Sequence, residues 1–477
     1  MRRTKIIATL GPATDAPGVL PALLEAGVDV VRVNFSHGDH AAQEQRIRAV
    51  REAAAAAGRH IGILGDLQGP KIRIQRFRDG AVSLREGQAF VLDPDLPPDA
   101  GDEHGVGVAY EALADDVAPG DTLLLDDGQI VLGVVSVSGR RITCTVEVGG
   151  ELSDNKGINR QGGGLSAPAL TDKDREDIEL AARLQIEWLA VSFVRGADDI
   201  EEARALLRDA GGEGLIVAKI ERAEAIEHLD EIILAADAVM VARGDLAVEV
   251  GYAGLTGLQK RIIRETRHRH KVSITATQMM ESMISKPQPT RAEVSDVANA
   301  VMDGTDAVML SAESAVGKYP VKAVATMSEI CIGAETYHKM VAPMSRHRMD
   351  DRFARVDEAI AMAAMYTANH LDVEAIIALT ESGSTALWMS RIRSDIPIFA
   401  LTRHSQTLCR VSLYRGVYPV AFDIVHTDAN HVYQDVFTRL LDMRLVNEGD
   451  LVIVTKGDLE GVSGGTNGMK ILRVTGQ

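Results

Sequence analysis

Two neighbouring stretches, Leu215-Ile-Val-Ala-Lys-Ile-Glu221 and Ala238-Val-Met-Val-Ala-Arg-Gly-Asp245, decide how the chain is read. Each is a short apolar run that ends in charge, the form of a buried parallel strand delivering polar side chains to a pocket at its carboxyl end. Together they offer one ammonium, Lys219, and two carboxylates, Glu221 and Asp245. A small, hard cation such as Mg²⁺ is held by one or two carboxylates and completes its shell with water and phosphate oxygens, a role that Glu221 and Asp245 fit. Lys219 stands two residues before Glu221, so on an extended strand the two side chains share a face, where the ammonium can neutralise charge building on a transferring group. A salt bridge at a barrel rim is the plainer reading of any one strand. Several strands that end alike argue against it.

Outward from these strands the chain alternates short β runs with amphipathic helical stretches, the pattern of βα units around a parallel sheet. Strands are expected at residues 6–10, 29–36, 61–66, 188–193, 215–220, 238–243, 272–276 and 307–311, with early helices at 17–26 and 40–57. Eight such units, in roughly 240 residues, match a (β/α)₈ barrel, whose site is assembled at the carboxyl ends of its strands. The strand ends there are mostly polar: Arg32, Asn34 and Ser36; Asp66; Ser192, followed by Phe193; Lys219 and Glu221; Arg243 and Asp245 around Gly244; Thr277 and Gln278; Ser311 and Glu313. Lys219 at a rim suggests that a Lys219→Met change would remove chemistry and spare the fold.

The barrel is interrupted once and extended once. After Gly69-Pro70 come alternating short segments separated by Gly, Asp and Pro, read as an inserted all-β module over 70–166 that could act as a water-excluding lid. Gly162-Gly-Gly164 reads as its flexible return. The barrel then occupies 1–69 and 167–341, with Thr171 and Asp174 placed to cap the first helix after the insert. A separate α/β domain is expected over 342–477, opening with a basic linker at 342–355. Its first strand passes into Glu381-Ser-Gly-Ser-Thr385 and a helix, which reads equally as a simple cap or as a phosphate cradle. The Gly-rich loop 456–467 either closes over such a ligand or is a surface turn.

Composition narrows the partners. With 51 Lys and Arg against 68 Asp and Glu the net charge is −17, which speaks against nucleic acid and anionic membrane, so a phosphorylated ligand must meet local positive groups or a metal. No apolar run approaches the length of a membrane span or a signal sequence, and a cytoplasmic protein is expected. Cys144, Cys331 and Cys409 lack metal-site spacing and read as buried thiols. There is no P-loop: Ala312-Glu-Ser-Ala-Val-Gly-Lys-Tyr319 lacks the leading glycine and the Ser or Thr after Lys. Arg73 and Lys156 are the candidate nucleotide-phosphate donors.

Arg32-Val-Asn-Phe-Ser-His-Gly38, Gly65-Asp-Leu-Gln-Gly-Pro-Lys-Ile-Arg73, Lys219-Ile-Glu-Arg-Ala223, Ala242-Arg-Gly-Asp-Leu246, Ala276-Thr-Gln-Met-Met-Glu-Ser-Met283 and Pro289-Thr-Arg-Ala-Glu-Val-Ser-Asp296 together resemble the pyruvate kinase family. Asp303-Gly-Thr-Asp-Ala-Val-Met-Leu-Ser-Ala-Glu313 extends the likeness, which runs through all three domains. The resemblance implies phosphoryl transfer from phosphoenolpyruvate to ADP, giving pyruvate and ATP. It implies that Arg32 binds the phosphoryl group, that Lys219 stabilises it in flight together with the enolate left behind, and that Glu221 and Asp245 hold Mg²⁺. Gly244, Asp245 and Thr277 would hold the substrate carboxylate, with Ser192 and Phe193 at the end of their strand also on the substrate. Thr277 and Ser311 would belong to the chain that protonates the enolate. Asn34, Arg73 and Lys156 would meet the nucleotide, which carries a second Mg²⁺. Family members that need K⁺ hold it near Asn34, Ser36, Asp66 and the carbonyl of Leu67, and carry Glu where this chain has Lys71. The lysine is expected to stand in for the ion and make K⁺ unnecessary. Ala247, where the family usually has Gly, would strain a backbone of positive φ. A phosphorylated effector at Ser382, Ser384 and Thr385, as in forms activated by AMP or sugar monophosphates, and a homotetramer complete the implication. A Mg²⁺-dependent lyase or aldolase working through a pyruvate enolate is the competing enzyme reading, and a non-catalytic phosphometabolite-binding regulator is the third.

Overall fold

The structure is a computed structural model that describes residues 1–341, 353–424, 427, 431–458 and 464–476. Eight parallel strands, β1 (Lys5–Thr9), β2 (Val30–Asn34), β3 (Gly62–Asp66), β4 (Trp188–Val191), β5 (Leu215–Ile220), β6 (Ala238–Ala242), β7 (Val272–Ala276) and β8 (Ala307–Leu310), close into a barrel in the order β1-β8-β7-β6-β5-β4-β3-β2. Nearly every strand residue is buried, because helices cover the outside and side chains fill the inside. Alternation separates the two layers. Ile6, Ala8, Val31 and Val33 face the helices, while Ile7, Val30, Leu64, Trp188, Val217 and Met240 fill the interior. The same period of two carries Arg32 and Asn34 on β2, Asp66 on β3 and Lys219 on β5 inward near their carboxyl ends, with Asn34 in register with Asp66.

The insert forms a six-stranded sheet from Ala89–Leu92, Gly105–Val106, Thr122–Leu125, Ile130–Ser138, Arg141–Val148 and Ile158–Arg160, and a two-stranded one from Ala81–Leu84 and Gly150–Ser153. Its return, Gly162-Gly-Gly164, is a defined turn. All three glycines have positive φ (82°, 81° and 94°), and the amides of Gly162 and Gly164 donate to the Glu249 carbonyl and the Glu224 carboxylate. Thr171 and Asp174 form the expected capping box on the helix Asp172–Arg183.

Beyond the barrel, β9 (Ala375–Leu379), β10 (Ile398–Thr402), β11 (Val417–Ala421), β12 (Leu451–Gly457) and β13 (Thr466–Arg473) make a sheet in the order β11-β10-β9-β12-β13, with only the last pair antiparallel. This domain seals the amino-terminal end of the barrel. The interior residues of the barrel share one apolar core with Ile376, Leu413, Tyr414 and Val417, and the Trp188 and Tyr414 rings meet edge-on at 6.2 Å. Buried Arg391 pairs with buried Asp306 across the same seam. The opposite, carboxyl-terminal mouth is left to polar groups.

Five strands end a residue or two earlier than their composition suggests, and at three of them the cause is a turn or helix that starts at once. At Phe193 the chain turns left-handed (φ 55°), Arg243 already begins the helix Arg243–Val250, and Ser311 flanks the helix Ala312–Ala315. Ala247 lies inside the helix Arg243–Val250 with no positive φ, so the strain expected there does not arise. All three cysteines are free. Cys144 and Cys331 are buried, but Cys409 is only half-buried. The linker expected at 342–355 lies mostly outside the described residues, as does 459–463 of the Gly-rich loop.

Candidate active site

At the carboxyl end of the barrel the inward-facing residues of β2, β3 and β5 meet in one charged cluster. Lys219 Nζ lies 3.0 Å from Glu221 Oε1, 3.1 Å from Asp66 Oδ1 and 2.6 Å from Ser192 Oγ. Asp66 is fully buried and its second oxygen accepts from Arg32 Nε at 2.6 Å, while Arg32 Nη1 reaches Thr9 Oγ1 at 3.2 Å. Burial alone would lower the Lys219 pKa, but Asp66 and Glu221 outweigh it and hold the ammonium above its usual value. Burial pushes Asp66 the other way, and Lys219 and Arg32 overcome it to keep the carboxylate ionised below its usual range. Glu221 is raised, first by burial, with the nearby Asp245 and Asp66 charges adding to it against Lys219. These neighbours make Lys219 a buried charge, 8 % exposed, and not the rim residue expected from sequence.

Glu221 and Asp245 are the oxygen donors that a hard divalent cation would use. Glu221 Oε2 is oriented by the Phe193 amide at 2.8 Å, and the left-handed turn at Phe193 is what aims that amide inward. Asp245 sits in the first turn of the helix Arg243–Val250, and its Oδ1 is 3.3 Å from Lys71 Nζ, which the insert supplies. Two carboxylates close enough to raise Glu221, each met on one side by an ammonium, fit a divalent cation by charge and by donor chemistry. Among the described residues no cluster of three or more His, Cys, Asp or Glu forms a metal cage, so substrate oxygens and water must complete the shell.

The β6 and β7 ends carry a second arrangement that sequence reasoning missed. Thr277 and Gln278 both have positive φ (63° and 51°), an outlying conformation for a β-branched residue. Arg243, 4 % exposed, holds them there: its Nη2 donates to both of their carbonyls at 2.8 Å and its Nε to the Thr277 carbonyl at 3.2 Å. Asp296 anchors the guanidinium at 2.6 Å. The turn leaves Thr277 Oγ1 accepting from the Gly244 amide at 2.8 Å. Ser311 Oγ is buried without a hydrogen bond, while the Ser311 amide donates to Glu313 Oε2 at 2.7 Å and Glu313 Oε1 takes the Met280 amide at 3.0 Å. The only trace of Arg243 in the sequence is its place between a strand and Gly-Asp.

The remaining expected residues are placed less uniformly. Asn34 Oδ1 caps the Ser36 amide at 3.1 Å, and the Leu67 carbonyl accepts from Ser192 Oγ at 2.7 Å. Arg73 donates to the Asn155 carbonyl at 2.9 Å and Lys156 pairs with Asp126 at 2.7 Å, so both stand at the base of the insert, and Lys156 already has a carboxylate partner. Barrel and insert are joined nearby by Arg222 Nη1 on the Leu165 carbonyl (3.0 Å) and by buried Glu249, whose Oε1 accepts from Asn159 Nδ2 of the insert at 3.4 Å while its Oε2 takes the barrel's own Ala223 amide at 2.8 Å; burial pushes this carboxyl up to about 7. In the carboxy-terminal domain Ser382 and Ser384 are half-buried and bonded to each other at 3.2 Å. Thr385 differs from expectation: its side chain is buried and its hydroxyl is committed to Thr466 at 2.7 Å.

Comparison with known proteins agrees with this geometry. Residues 1–324 match the family model described as pyruvate kinase, barrel domain, and residues 358–472 match pyruvate kinase, alpha/beta domain. The chain is 54 % identical over 478 residues to "Pyruvate kinase II" of Salmonella typhimurium, covering 99 % of each. It is 51 % identical to the pyruvate kinase of Haemophilus influenzae, covering 96 % of each. Among solved structures, a pyruvate kinase from Cryptosporidium parvum superposes with a TM-score of 0.90 at 33 % identity, over 99 % of this chain and 96 % of that one.

Proposed function

The chain belongs to the pyruvate kinase family and transfers the phosphoryl group of phosphoenolpyruvate to ADP, giving pyruvate and ATP, and from that premise we propose how its residues divide the work. Membership over nearly the whole length speaks against the lyase and regulator readings. The observation that carries the assignment is the Lys219 ammonium, held within 3.1 Å of both Asp66 and Glu221 at the barrel mouth. Arg32 and Lys219 bind the phosphoryl group, and Lys219 follows the charge from the transferring group to the enolate oxygen. Asp66 orients both cations. Glu221 and Asp245 would hold Mg²⁺, which would supply fixed positive charge to the reacting group. A second Mg²⁺ would be held by the nucleotide.

The Gly244 amide, now on Thr277 Oγ1, turns to the substrate carboxylate, with Ser192 and Phe193 shaping that side of the site. Thr277 and the unpartnered hydroxyl of Ser311 relay the proton that converts enolate to pyruvate. Asn34, Arg73 and Lys156 meet the nucleotide, Lys156 after leaving Asp126. The insert, taken as 70–166 between barrel segments 1–69 and 167–341, closes over the mouth and excludes water. Lys71 already lies on Asp245 and supplies the positive charge that K⁺, at Asn34, Ser36, Asp66 and the Leu67 carbonyl, brings in other members. In the domain 342–477, Ser382 and Ser384 receive a phosphorylated effector, with Thr385 contributing through its backbone. The chain works as a cytoplasmic homotetramer; among the described residues no helix is long and apolar enough to cross a membrane.

Lys219→Met tests the assignment. Steady-state assay of pyruvate release is expected to show kcat falling by roughly 10³-fold, the scale of losing a preorganised charge at the reacting group. A variant retaining wild-type kcat would refute the role given to Lys219.

A further inference from the structure

Far from the barrel mouth, where the helix Tyr252–His268 passes the carboxy-terminal domain, there is a cavity of about 430 Å³ lined by Lys260, Arg264, Arg267, His268, Asp303 and Arg393. A cleft of about 40 Å³ adjoins it, shares Arg267 and Arg393, and adds Arg3 and Arg415. Most of these cations have a carboxylate: Lys260 pairs with Asp303, Arg264 with Glu265 at 3.1 Å, and Arg415 with Glu335 at 3.7 Å, while Arg391 behind them holds Asp306. Arg267 does not. Among the described residues no carboxylate lies within ion-pair distance of it, and its Nη2 reaches only the Arg391 carbonyl at 3.4 Å. Burial, then the neighbouring Arg391 and Arg393 charges, push it down to about 9, so like charge is concentrated at one point of a chain whose net charge is −17. Its position is built: Gly304 caps the preceding helix at φ 93°, and a Cβ there would lie 2.4 Å from Arg267 Nη1.

We infer that this cavity binds a small phosphate dianion, free or as a phosphomonoester, with Arg267 as its central ligand and Lys260, Arg264 and Arg393 around it. A guanidinium with open donors matches phosphate geometry, and a dianion cancels the uncompensated charge. The site is wired to the barrel mouth. Asp303, on Lys260, also accepts from Gln259 Nε2 at 3.2 Å, and Gln259 Oε1 accepts at 3.4 Å from Arg243, the residue that holds the Thr277 turn. An anion that draws Lys260 toward Arg267 loosens Asp303 and thereby shifts the substrate-carboxylate side of the site.

Equilibrium dialysis of the full chain against radiolabelled inorganic phosphate, at constant ionic strength, tests this. The wild type is expected to bind one equivalent per chain that Arg267→Gln binds roughly tenfold or more weakly, the worth of a charged hydrogen bond, and that the exposed variant Arg264→Gln also weakens. Lys219→Met and Ser384→Asp, which disturb the barrel mouth and the other phosphate segment, must retain that equivalent. In kinetics, phosphate should change the half-saturating phosphoenolpyruvate concentration of the wild type and leave that of Arg267→Gln unmoved, with equal kcat in the absence of phosphate. Wild-type phosphate uptake by Arg267→Gln would overturn the site. So would a smaller assembly of that variant in sedimentation with uptake unchanged, which would assign Arg267 to a contact between chains. Binding with no kinetic response in the wild type would overturn the coupling.

Discussion

Thr277 and Arg243 are best understood as one device. A β-branched residue in the left-handed region costs about 1–2 kcal/mol, and the conformation persists because the surroundings over-determine it. Here the surroundings are a single guanidinium that accepts no alternative: its planar fork reaches two carbonyls at once, which an ammonium on a flexible stem does not. Arg243→Lys is therefore expected to lower kcat/KM for phosphoenolpyruvate by about 10- to 100-fold, equivalent to one or two charged hydrogen bonds, with a small change in melting temperature. Unchanged kcat/KM would show that the turn holds itself. The same scale of reasoning revises Lys219. Its ammonium is the shared partner of two buried carboxylates, so Lys219→Met leaves Asp66 and Glu221 facing each other with less compensation. A loss of several kcal/mol of stability is expected alongside the loss of turnover, partly recovered when Mg²⁺ is added during thermal unfolding. Equal melting temperatures for variant and wild type would contradict it.

Among the elements, β4 carries a carboxylate that the chemistry does not use. Glu187, immediately before Trp188, is 4 % exposed and accepts the Ile63 amide of β3 at 2.8 Å. Burial raises it from 4.5 to about 7, against the Ile63 hydrogen bond and the Arg51 charge. A carboxyl with a raised folded pKa stabilises the fold when protonated, so its contribution is complete below about 4.5 and disappears as pH rises through about 7. Replacing it by glutamine, which stays neutral, should remove on the order of 3 kcal/mol of this pH dependence. Thermal or denaturant unfolding of Glu187→Gln against wild type, at pH 5 and pH 8, should show the variant gaining relative stability at the higher pH. Equal differences at both pH values would contradict the assignment. The strands themselves were legible. β5 and β7 fall on the residues expected from their apolar runs, and the others differ by a residue or two at their ends, because full burial on both faces leaves a continuous hydrophobic signal. Charged strand ends likewise pointed to Arg32, Asp66, Lys219 and Glu221. What could not be read was backbone handedness at Phe193, Thr277 and Gln278, which depends on tertiary partners such as Arg243, and the partner chosen by each cation, such as Lys71 on Asp245 or Lys156 on Asp126. β13 begins at Thr466, where its pairing with β12 continues through an irregularity at Lys456 and Gly457.

Over the whole molecule the barrel has two specialised ends. The amino-terminal end is closed by the carboxy-terminal domain through an apolar core continuous with the barrel interior and through the Arg391–Asp306 pair. The carboxyl-terminal end is polar and is approached by the insert, whose Lys71 touches Asp245. A chain with net charge −17 that handles anionic substrates must gather its positive charge locally, and here Arg32, Lys219 and Lys71 converge on three carboxylates. The central claim is that this constellation, with Mg²⁺ and no monovalent cation, is sufficient for transfer. The direct measurement is pyruvate formation from phosphoenolpyruvate and ADP by the full chain with Mg²⁺ in tetramethylammonium buffer, repeated after adding K⁺, for the wild type and Lys71→Glu. The account predicts the same wild-type rate in both buffers and a variant that turns over only with K⁺; a wild type that is silent until K⁺ is added, or a Lys71→Glu variant fully active without it, would contradict it.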